Sequence, residues 1–310
     1  MENKTVCYWH LPGLCYFRAL NHVLLNVMLN YPDKFRDGYK VGSVYGTIPG
    51  AIWNGGRAVF GSSTKADIEK VVNLYNSRGV PVRFTWTNSL LTEQHVNDTF
   101  CNMVMRVADN GMNQVLVNRP VLEEYIRREY PGYKIISSTT KRIVDTDRLM
   151  EEMGKDYFLV VLDYDMNRNE DVIRRLEPVA DKVEILVNEI CYPNCAKREA
   201  HYAEESRSQL EFDNRTDFQC PHRTREDRNF EECMKRPAFM SNEEVEGYIE
   251  RGFVNFKIGG RGLPLQFVLD SYLYFLVKDK DREFIREKIT KSLEELQTPR
   301  RQPPRPQRRA

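Results

Sequence analysis

The stretch FLVVLD, residues 158–163, decides the fold of this chain, because it is an uninterrupted apolar run that ends on a carboxylate. A continuous apolar run is typical of a strand that is buried on both faces, as strands of parallel sheets are. Seven further short runs, rich in β-formers and bounded by turn residues, predict further strands. They occupy residues 6–10, 39–45, 82–87, 114–118, 134–138, 183–188 and 254–258.

Seven segments with the spacing of helices lie between the predicted strands. They cover residues 16–29, 66–77, 92–108, 121–129, 145–153, 171–179 and 242–251, and a longer helical stretch, residues 265–296, follows the last strand. Strict alternation of strand and helix predicts a parallel sheet whose outer face is covered by helices. Eight such units predict an α/β fold, a (β/α)8 TIM-like barrel with a cysteine-rich insertion after strand seven. No Gly-x-Gly-x-x-Gly turn follows the first predicted strand, which disfavours a dinucleotide-binding sheet.

The chain divides into one barrel domain and a short tail. We assign residues 1–296 to the barrel and interpret residues 189–240 as its cysteine-rich insertion, because this connection is too long and too polar for an ordinary loop. Residues 297–310 are rich in proline and arginine and contain no acidic residue, which predicts a disordered basic tail. We interpret the tail as a solubilising end, with weak electrostatic tethering to RNA or another polyanion as the alternative.

The composition gives no reason for a global attraction to nucleic acid or membranes. The 310 residues include 46 basic and 45 acidic side chains, for a formal net charge of +1. No stretch reaches the roughly eighteen apolar residues of a membrane span, and no uninterrupted apolar region marks a secretory signal in the first thirty residues. We therefore expect a cytoplasmic protein whose seven cysteines are reduced. The oligomeric state stays open.

Polar side chains at the carboxyl ends of the predicted strands are the first candidates for a site, because barrel sites are built there. Candidate substrate-binding residues are His10, Asn88, Asn118, Asn188, Glu189, Lys257 and Arg261. Candidate catalytic residues are Asp163, Asp165, Lys257 and Arg261. The two aspartates lie two positions apart and can share a proton, although capping of the next helix is the competing interpretation for each asparagine and aspartate. As a set, these residues suit a small polar or nucleotide-like ligand.

Four late cysteines form a more informative cluster. Cys191 and Cys195 follow a predicted strand directly, and Cys220 and Cys233 lie in the same connection. Four thiolates from one segment can hold a 4Fe-4S cluster or enclose a structural zinc ion, with four unrelated thiols as the alternative. The spacing weakly disfavours zinc, because three residues separate the first pair and twelve separate the second.

The remaining cysteines and two histidines have weaker assignments. Cys7 and Cys101 are expected in the core, since small apolar thiols are commonly buried. Cys15 is a reserve ligand, and His201 and His222 are alternative ligands that flank the cysteine segment.

The segments LVNEICYPNCAKREAHY, residues 186–202, and NFKIGGR, residues 255–261, resemble the U-thirty-two (U32) peptidase-like family, also called collagenase-like peptidases. This family pairs a cysteine-containing segment after a late strand with a Phe-Lys-Ile-Glu-Gly-Arg-like strand end. The positions that keep the pattern are Lys257, Gly260 and Arg261, followed in the next helix by Ser271, Tyr272 and Tyr274. The family's glutamate is Gly259 here. The resemblance is specific over residues 183–277 and architectural over residues 1–182.

The resemblance implies an iron–sulfur enzyme of the barrel fold. It implies that the four late cysteines hold the cluster, that Lys257 and Arg261 line the anionic part of the pocket, and that the activity is oxygen-independent hydroxylation, or a related modification, of an RNA base or a small aromatic or quinone-type substrate. One alternative is a peptidase, as the family name says, although the sequence contains no His-Glu-x-x-His helix. The other is a barrel scaffold with a structural zinc and a protein partner.

Overall fold

The computed structural model describes residues 5–221, 229–260 and 262–297. Eight parallel strands close into one barrel in chain order, and β8 pairs with β1 through Tyr8 and Asn255. The strands are β1 Cys7–Pro12, β2 Tyr39–Gly46, β3 Val82–Trp86, β4 Gln114–Val117, β5 Lys134–Ser137, β6 Leu159–Val161, β7 Val183–Leu186 and β8 Asn255–Lys257. Each coincides with a predicted strand, so the predicted (β/α)8 barrel is confirmed.

Helices lie between the strands, as the alternation predicts. They are α1 Arg18–Asn30, α2 Lys65–Asn76, α3 Thr99–Ala108, α4 Pro120–Glu129, α5 Thr146–Met153, α6 Glu170–Leu176, α7 Arg198–Glu211, α8 Phe230–Met234, α9 Asn242–Glu250, α10 Leu265–Leu276 and α11 Arg282–Gln297. No helix within the described ranges is long and apolar enough to cross a membrane. The two helices α7 and α8 occupy the long connection after β7.

Two predicted helices are shorter than expected, each for a local reason. The segment 92–108 contains a separate 3-10 turn, and α3 begins only after Asp98, whose carboxylate accepts a hydrogen bond from the Cys101 N–H at 2.7 Å. The segment 265–296 breaks at Val277, which is extended and forms an antiparallel bridge with Phe35. The predicted disordered tail lies, apart from Gln297 at the end of α11, outside the described residues.

The strands separate an outer apolar core from a mixed interior. Outward side chains such as Trp9, Phe84 and Phe256 pack beneath the helices. Alternate positions point into the barrel, because successive side chains of a strand face opposite sides. The interior residues of β4, β5 and β6 form a small apolar cluster, namely Leu116, Ile136, Leu159 and Val161. The other side of the interior is filled by charged and polar side chains.

Glu184 is the centre of this charged interior. Its carboxylate lies 2.5 Å from Arg83 Nη1, 3.3 Å from Lys257 Nζ and 3.4 Å from His10 Nε2. Arg83 and Glu184 are both completely buried and come from β3 and β7, so their contact crosses the barrel. Burial acts to raise the pKa of the Glu184 carboxyl, but the positive field of Arg83 and Lys257 outweighs it and holds the pKa below its usual range.

The buried pair makes a stability prediction. Arg83→Met should cost about 3–5 kcal/mol in the free energy of unfolding, because Glu184 would lose its shortest charged contact inside the barrel. Adding Glu184→Gln should recover part of that loss. Urea unfolding followed by circular dichroism measures both values. Arg174→Met, at an exposed ion pair of α6, is the matched control and should cost less than about 1 kcal/mol. A cost for Arg83→Met as small as that of the control would contradict the prediction.

A candidate ligand cavity at the mouth of the barrel

A cavity of about 490 Å³ lies at the carboxyl ends of the strands. Tyr45, Ser138, Asn188 and Lys257 reach it from the ends of β2, β5, β7 and β8, and α7 closes one wall. Its volume is in the range that holds a small molecule. The position is the one where barrel proteins build their sites.

Lys257 places a buried positive charge at the floor of the cavity. Its side chain is about 6% exposed, its ammonium lies 4.3 Å from the centre of the Tyr45 ring, and it shares the Glu184 carboxylate with Arg83. The phenol of Tyr45 donates a hydrogen bond to the Ile258 carbonyl at 2.7 Å, which fixes the ring beneath the ammonium. Two cations, Lys257 and Arg83, therefore share one carboxylate at the floor.

Asn188 joins the ends of β7 and β8 beside the floor. Its Oδ1 accepts a hydrogen bond from the Gly259 N–H at 2.5 Å, and its Nδ2 donates to the Gly259 carbonyl at 3.1 Å and to Ser271 Oγ at 3.2 Å. A Cβ at position 259 would lie 3.2 Å from Asn188 Oδ1, closer than ordinary contact. The glycine at the position of the family's glutamate therefore fits this tight bridge.

The wall on α7 contains a second polar group. His201 Nε2 lies 3.2 Å from Glu205 Oε1 and 3.2 Å from Arg57 Nη1, and the imidazole stacks on Phe218 at 4.9 Å between ring centres. The other oxygen of Glu205 accepts a hydrogen bond from the Ala58 N–H at 2.7 Å. Burial acts to raise the pKa of Glu205, but the hydrogen bond with His201 and the charge of Arg57 outweigh it and lower the pKa. The predicted alternative ligand His201 is thus engaged in a charged hydrogen-bond cluster.

The four late cysteines occupy different surroundings. Cys191 and Cys220 line the cavity, whereas Cys233 is completely buried in α8 within the main apolar core. Cys195 is partly exposed beyond the turn that follows Cys191. Among the described residues, no three His, Cys, Asp or Glu side chains lie together in a way that could hold a metal ion. The described arrangement is not a preformed ligand set.

Asp163 and Asp165 belong to a buried ion quartet. Arg142 Nη1 contacts Asp163 Oδ2 at 2.8 Å and Asp165 Oδ2 at 2.9 Å. Arg198, the first residue of α7, contacts Asp163 Oδ1 at 3.2 Å and Asp165 Oδ1 at 2.8 Å. Neither aspartate lines the cavity, whereas Arg198 does. Two guanidinium groups therefore bridge the two carboxylates and balance their charge.

The other predicted residues lie in several places. Asn188, Glu189 and Lys257 line the cavity. Asn88 donates to the Ile52 and Ser206 carbonyls, so it ties two loops together, and Asn118 donates to Thr140 Oγ1 at 2.9 Å. The predicted site residue Arg261 and the alternative ligand His222 lie outside the described residues. His10 lies in the barrel interior below the floor.

Sequence reasoning missed Arg83 and Glu184, the charged residues that lie beneath the cavity together with Lys257. Arg83 and Glu184 each interrupt an otherwise apolar predicted strand, and this was the available signal. A charged residue inside a buried strand needs a charged partner, because an isolated buried charge is costly. Nothing in the sequence pairs two residues 101 positions apart.

The fold and the cavity define a (β/α)8 barrel protein whose candidate site lies at the carboxyl ends of the strands. A solved structure titled "The Structure of the U32 Peptidase Mk0906" is similar to this chain, with a TM-score of 0.53 and 14% sequence identity, and the match covers 85% of this chain and 96% of that one. No protein-family model and no curated protein matches the sequence. The comparison supports a U32-like fold, and the activity has to be inferred from the residues of the cavity.

The protonation of His10 follows from its contacts. Nδ1 faces Arg83 Nη2 at 2.9 Å and Ser43 Oγ at 2.8 Å, and because a guanidinium only donates, we assign Nδ1 as the acceptor. The proton then lies on Nε2, which faces Asn255 Oδ1 at 3.4 Å. Burial, followed by the charge of Arg83, lowers the pKa of His10 to about 3. The imidazole is therefore neutral and adds no positive charge to the group around Glu184.

This neutral histidine predicts a pH dependence of stability. Between pH 6.5 and pH 3, unfolded chains protonate His10 and folded chains do not. The contribution of the neutral His10 to the free energy of unfolding is therefore complete above pH 6.5 and falls by about 1.4 kcal/mol for each pH unit below it. The free energy of unfolding, measured with urea at several pH values from 6.5 to 5, should fall less steeply with decreasing pH in His10→Gln than in the parent protein. His95→Gln, outside the barrel, is the control. Equal slopes for the parent and His10→Gln would refute the assignment.

Proposed function

We propose that this chain is a barrel enzyme that binds a small carboxylate-bearing molecule in the cavity at the mouth of the barrel. The observation that carries the proposal is the nearly buried ammonium of Lys257, which lines the cavity and shares the Glu184 carboxylate with Arg83. Hydrogen bonds between a charged donor and a carboxylate are stronger than those between neutral groups. A carboxylate of the ligand, placed against the Lys257 ammonium, would form such a contact.

Aromatic side chains favour a ligand with a flat apolar part. Tyr45, Tyr164, Tyr202 and Phe218 line the cavity together with the charged residues. Aromatic rings stack on one another or meet edge to face, which contributes beyond simple burial. A small aromatic carboxylate therefore matches both the floor and the walls. This agrees with the small aromatic or quinone-type substrate that the family resemblance implies.

The peptidase alternative depends mainly on the name of the structural neighbour. His10 and Ser43 lie 2.8 Å apart, but both are buried inside the barrel and their nitrogen contact is shared with Arg83. Burial raises the pKa of the Cys191 thiol in the cavity, which is the opposite of the shift that activates a cysteine nucleophile. Neither group supports amide hydrolysis.

Iron–sulfur-dependent hydroxylation remains the finer proposal of the resemblance. Cys191 and Cys220 share the cavity, so a redox centre bound there would meet the same ligand as Lys257. Cluster binding by all four cysteines would require Cys233 to leave the core, because its side chain is completely buried. The anion proposal does not depend on the cluster.

Binding of benzoate tests the floor directly. The parent protein should bind benzoate, and Lys257→Met should raise the dissociation constant at least about tenfold, or about 1.4 kcal/mol, because the ammonium is lost. Isothermal calorimetry measures both, with inorganic phosphate titrated as the competing kind of anion. Benzamide, which has no charge, should bind equally weakly to both proteins. Lys65→Met removes an exposed lysine of α2 and is the matched control.

Two results would contradict the carboxylate proposal. One is equal affinity for benzoate and benzamide in the parent protein. The other is an unchanged benzoate affinity in Lys257→Met.

Metal analysis tests the cysteine prediction separately. Under anaerobic purification, a 4Fe-4S protein should be brown and contain several irons per chain, and the double variant Cys191→Ala, Cys195→Ala should lose both colour and iron. Cys101→Ala, at a core cysteine, should keep them. A colourless protein with zinc would favour the scaffold alternative. A protein without iron or zinc would refute the cysteine-site prediction.

A further inference from the structure

The turn that carries Cys191 and Cys195 is held by the ion quartet. Asp165 Oδ1 accepts a hydrogen bond from the Asn194 N–H at 2.9 Å and, at the same time, one from Arg198 Nη2 at 2.8 Å. Arg198 Nη2 also donates to the Tyr192 carbonyl at 3.0 Å. Asn194 has a left-handed φ of 56°, an unfavourable conformation for most residues that these contacts stabilise. Backbone groups on both sides of the turn are thus tied to the quartet.

The quartet also reaches the Cys191 thiol through one aromatic ring. The guanidinium of Arg198 stacks on the Tyr164 ring at 3.8 Å, and Cys191 packs against the small apolar cluster to which Tyr164 belongs. The other members of this cluster are Leu186 and Ala238. Tyr164, Arg198 and Cys191 all line the cavity. The thiol is therefore held in the cavity wall by contacts that begin at Asp165.

Energetics favour a positioning role over a purely stabilising one. The quartet side chains of Asp163, Asp165 and Arg198 are at most 3% exposed. Buried ion groups of this kind seldom stabilise a fold more than well-packed apolar residues would, and their best-attested use is to specify one arrangement. Here the quartet specifies the conformation of the turn between β7 and α7, because its hydrogen bonds to the backbone are made to Tyr192 and Asn194 in that turn.

We propose that Asp165 and Arg198 are positioning residues that fix the Cys191 thiol in the cavity wall, where a bound ligand meets it. This inference takes the cavity as the working site, as the proposed function does. It does not depend on the identity of the ligand or on a metal. Asp165 and Arg198 act through the turn and through Tyr164.

Alkylation of individual cysteines tests the proposal. Asp165→Asn places an amide donor against Arg142 or Arg198 and leaves the quartet with an excess positive charge. Iodoacetamide labelling at one pH, followed by peptide mass spectrometry, should show alkylation of Cys191 accelerated at least about fivefold through local opening, with Cys101 in the core unchanged. Asp171→Asn, at an exposed aspartate of α6, is the matched control and should change neither rate.

The labelling rates of Cys191 and Cys101 decide whether the quartet positions Cys191. Acceleration of Cys191 alone supports the positioning role. An unchanged Cys191 rate, or an equal rise at Cys191 and Cys101, overturns it, because the quartet would then have no effect on the turn or would only stabilise the whole fold. If Asp165→Asn yields too little folded protein, Arg198→Lys keeps the charge and removes the forked contacts. Benzoate titration of the same proteins separates this outcome from the proposed function, since failure of the parent to bind benzoate overturns only the latter.

Discussion

The contact between Arg83 and Glu184 spans the barrel interior, and the rest of the site is built above it. An eight-stranded barrel has an interior that side chains must fill. In this chain, residues from β4 to β6 fill one side with a small apolar cluster, and an ion group fills the other. Because Arg83 and Glu184 belong to β3 and β7, which are not neighbours, their contact links opposite sides of the sheet. The interior contact therefore links opposite sides of the barrel and places charged groups beneath its mouth.

The contact between Arg83 and Glu184 also affects Lys257, because both cations share one carboxylate. Arg83 makes the shorter contact to the Glu184 carboxylate, at 2.5 Å, and Lys257 lies 3.3 Å from it. The neutral His10 adds no charge to this group. The low dielectric constant of a buried site makes electrostatic contacts of the Lys257 ammonium stronger than they would be in water. The electrostatics of the cavity therefore depend on side chains that lie beneath its lining.

The sequence predicts the barrel well because each strand is an apolar or β-rich run of its own, such as residues 158–163, and alternation fixes the order. It also places Asn188, Glu189 and Lys257 at strand ends, where the cavity lies. It does not predict the partners of Asp163 and Asp165, because Arg142 and Arg198 approach from separate elements. Strand-end position alone thus identifies where a residue lies along the barrel axis, but not whether its side chain faces the ligand or a neighbouring loop.

Two buried ion groups lie near the mouth of the barrel and differ in their relation to the cavity. The quartet around Asp163 and Asp165 contains two cations and two anions, and neither aspartate lines the cavity. At the floor, Lys257 and Arg83 share the Glu184 carboxylate in an equally buried place, and Lys257 itself lines the cavity. Specifying one arrangement is the best-attested use of buried ion groups. On this reasoning the quartet organises the wall, whereas the floor presents the Lys257 ammonium to the cavity.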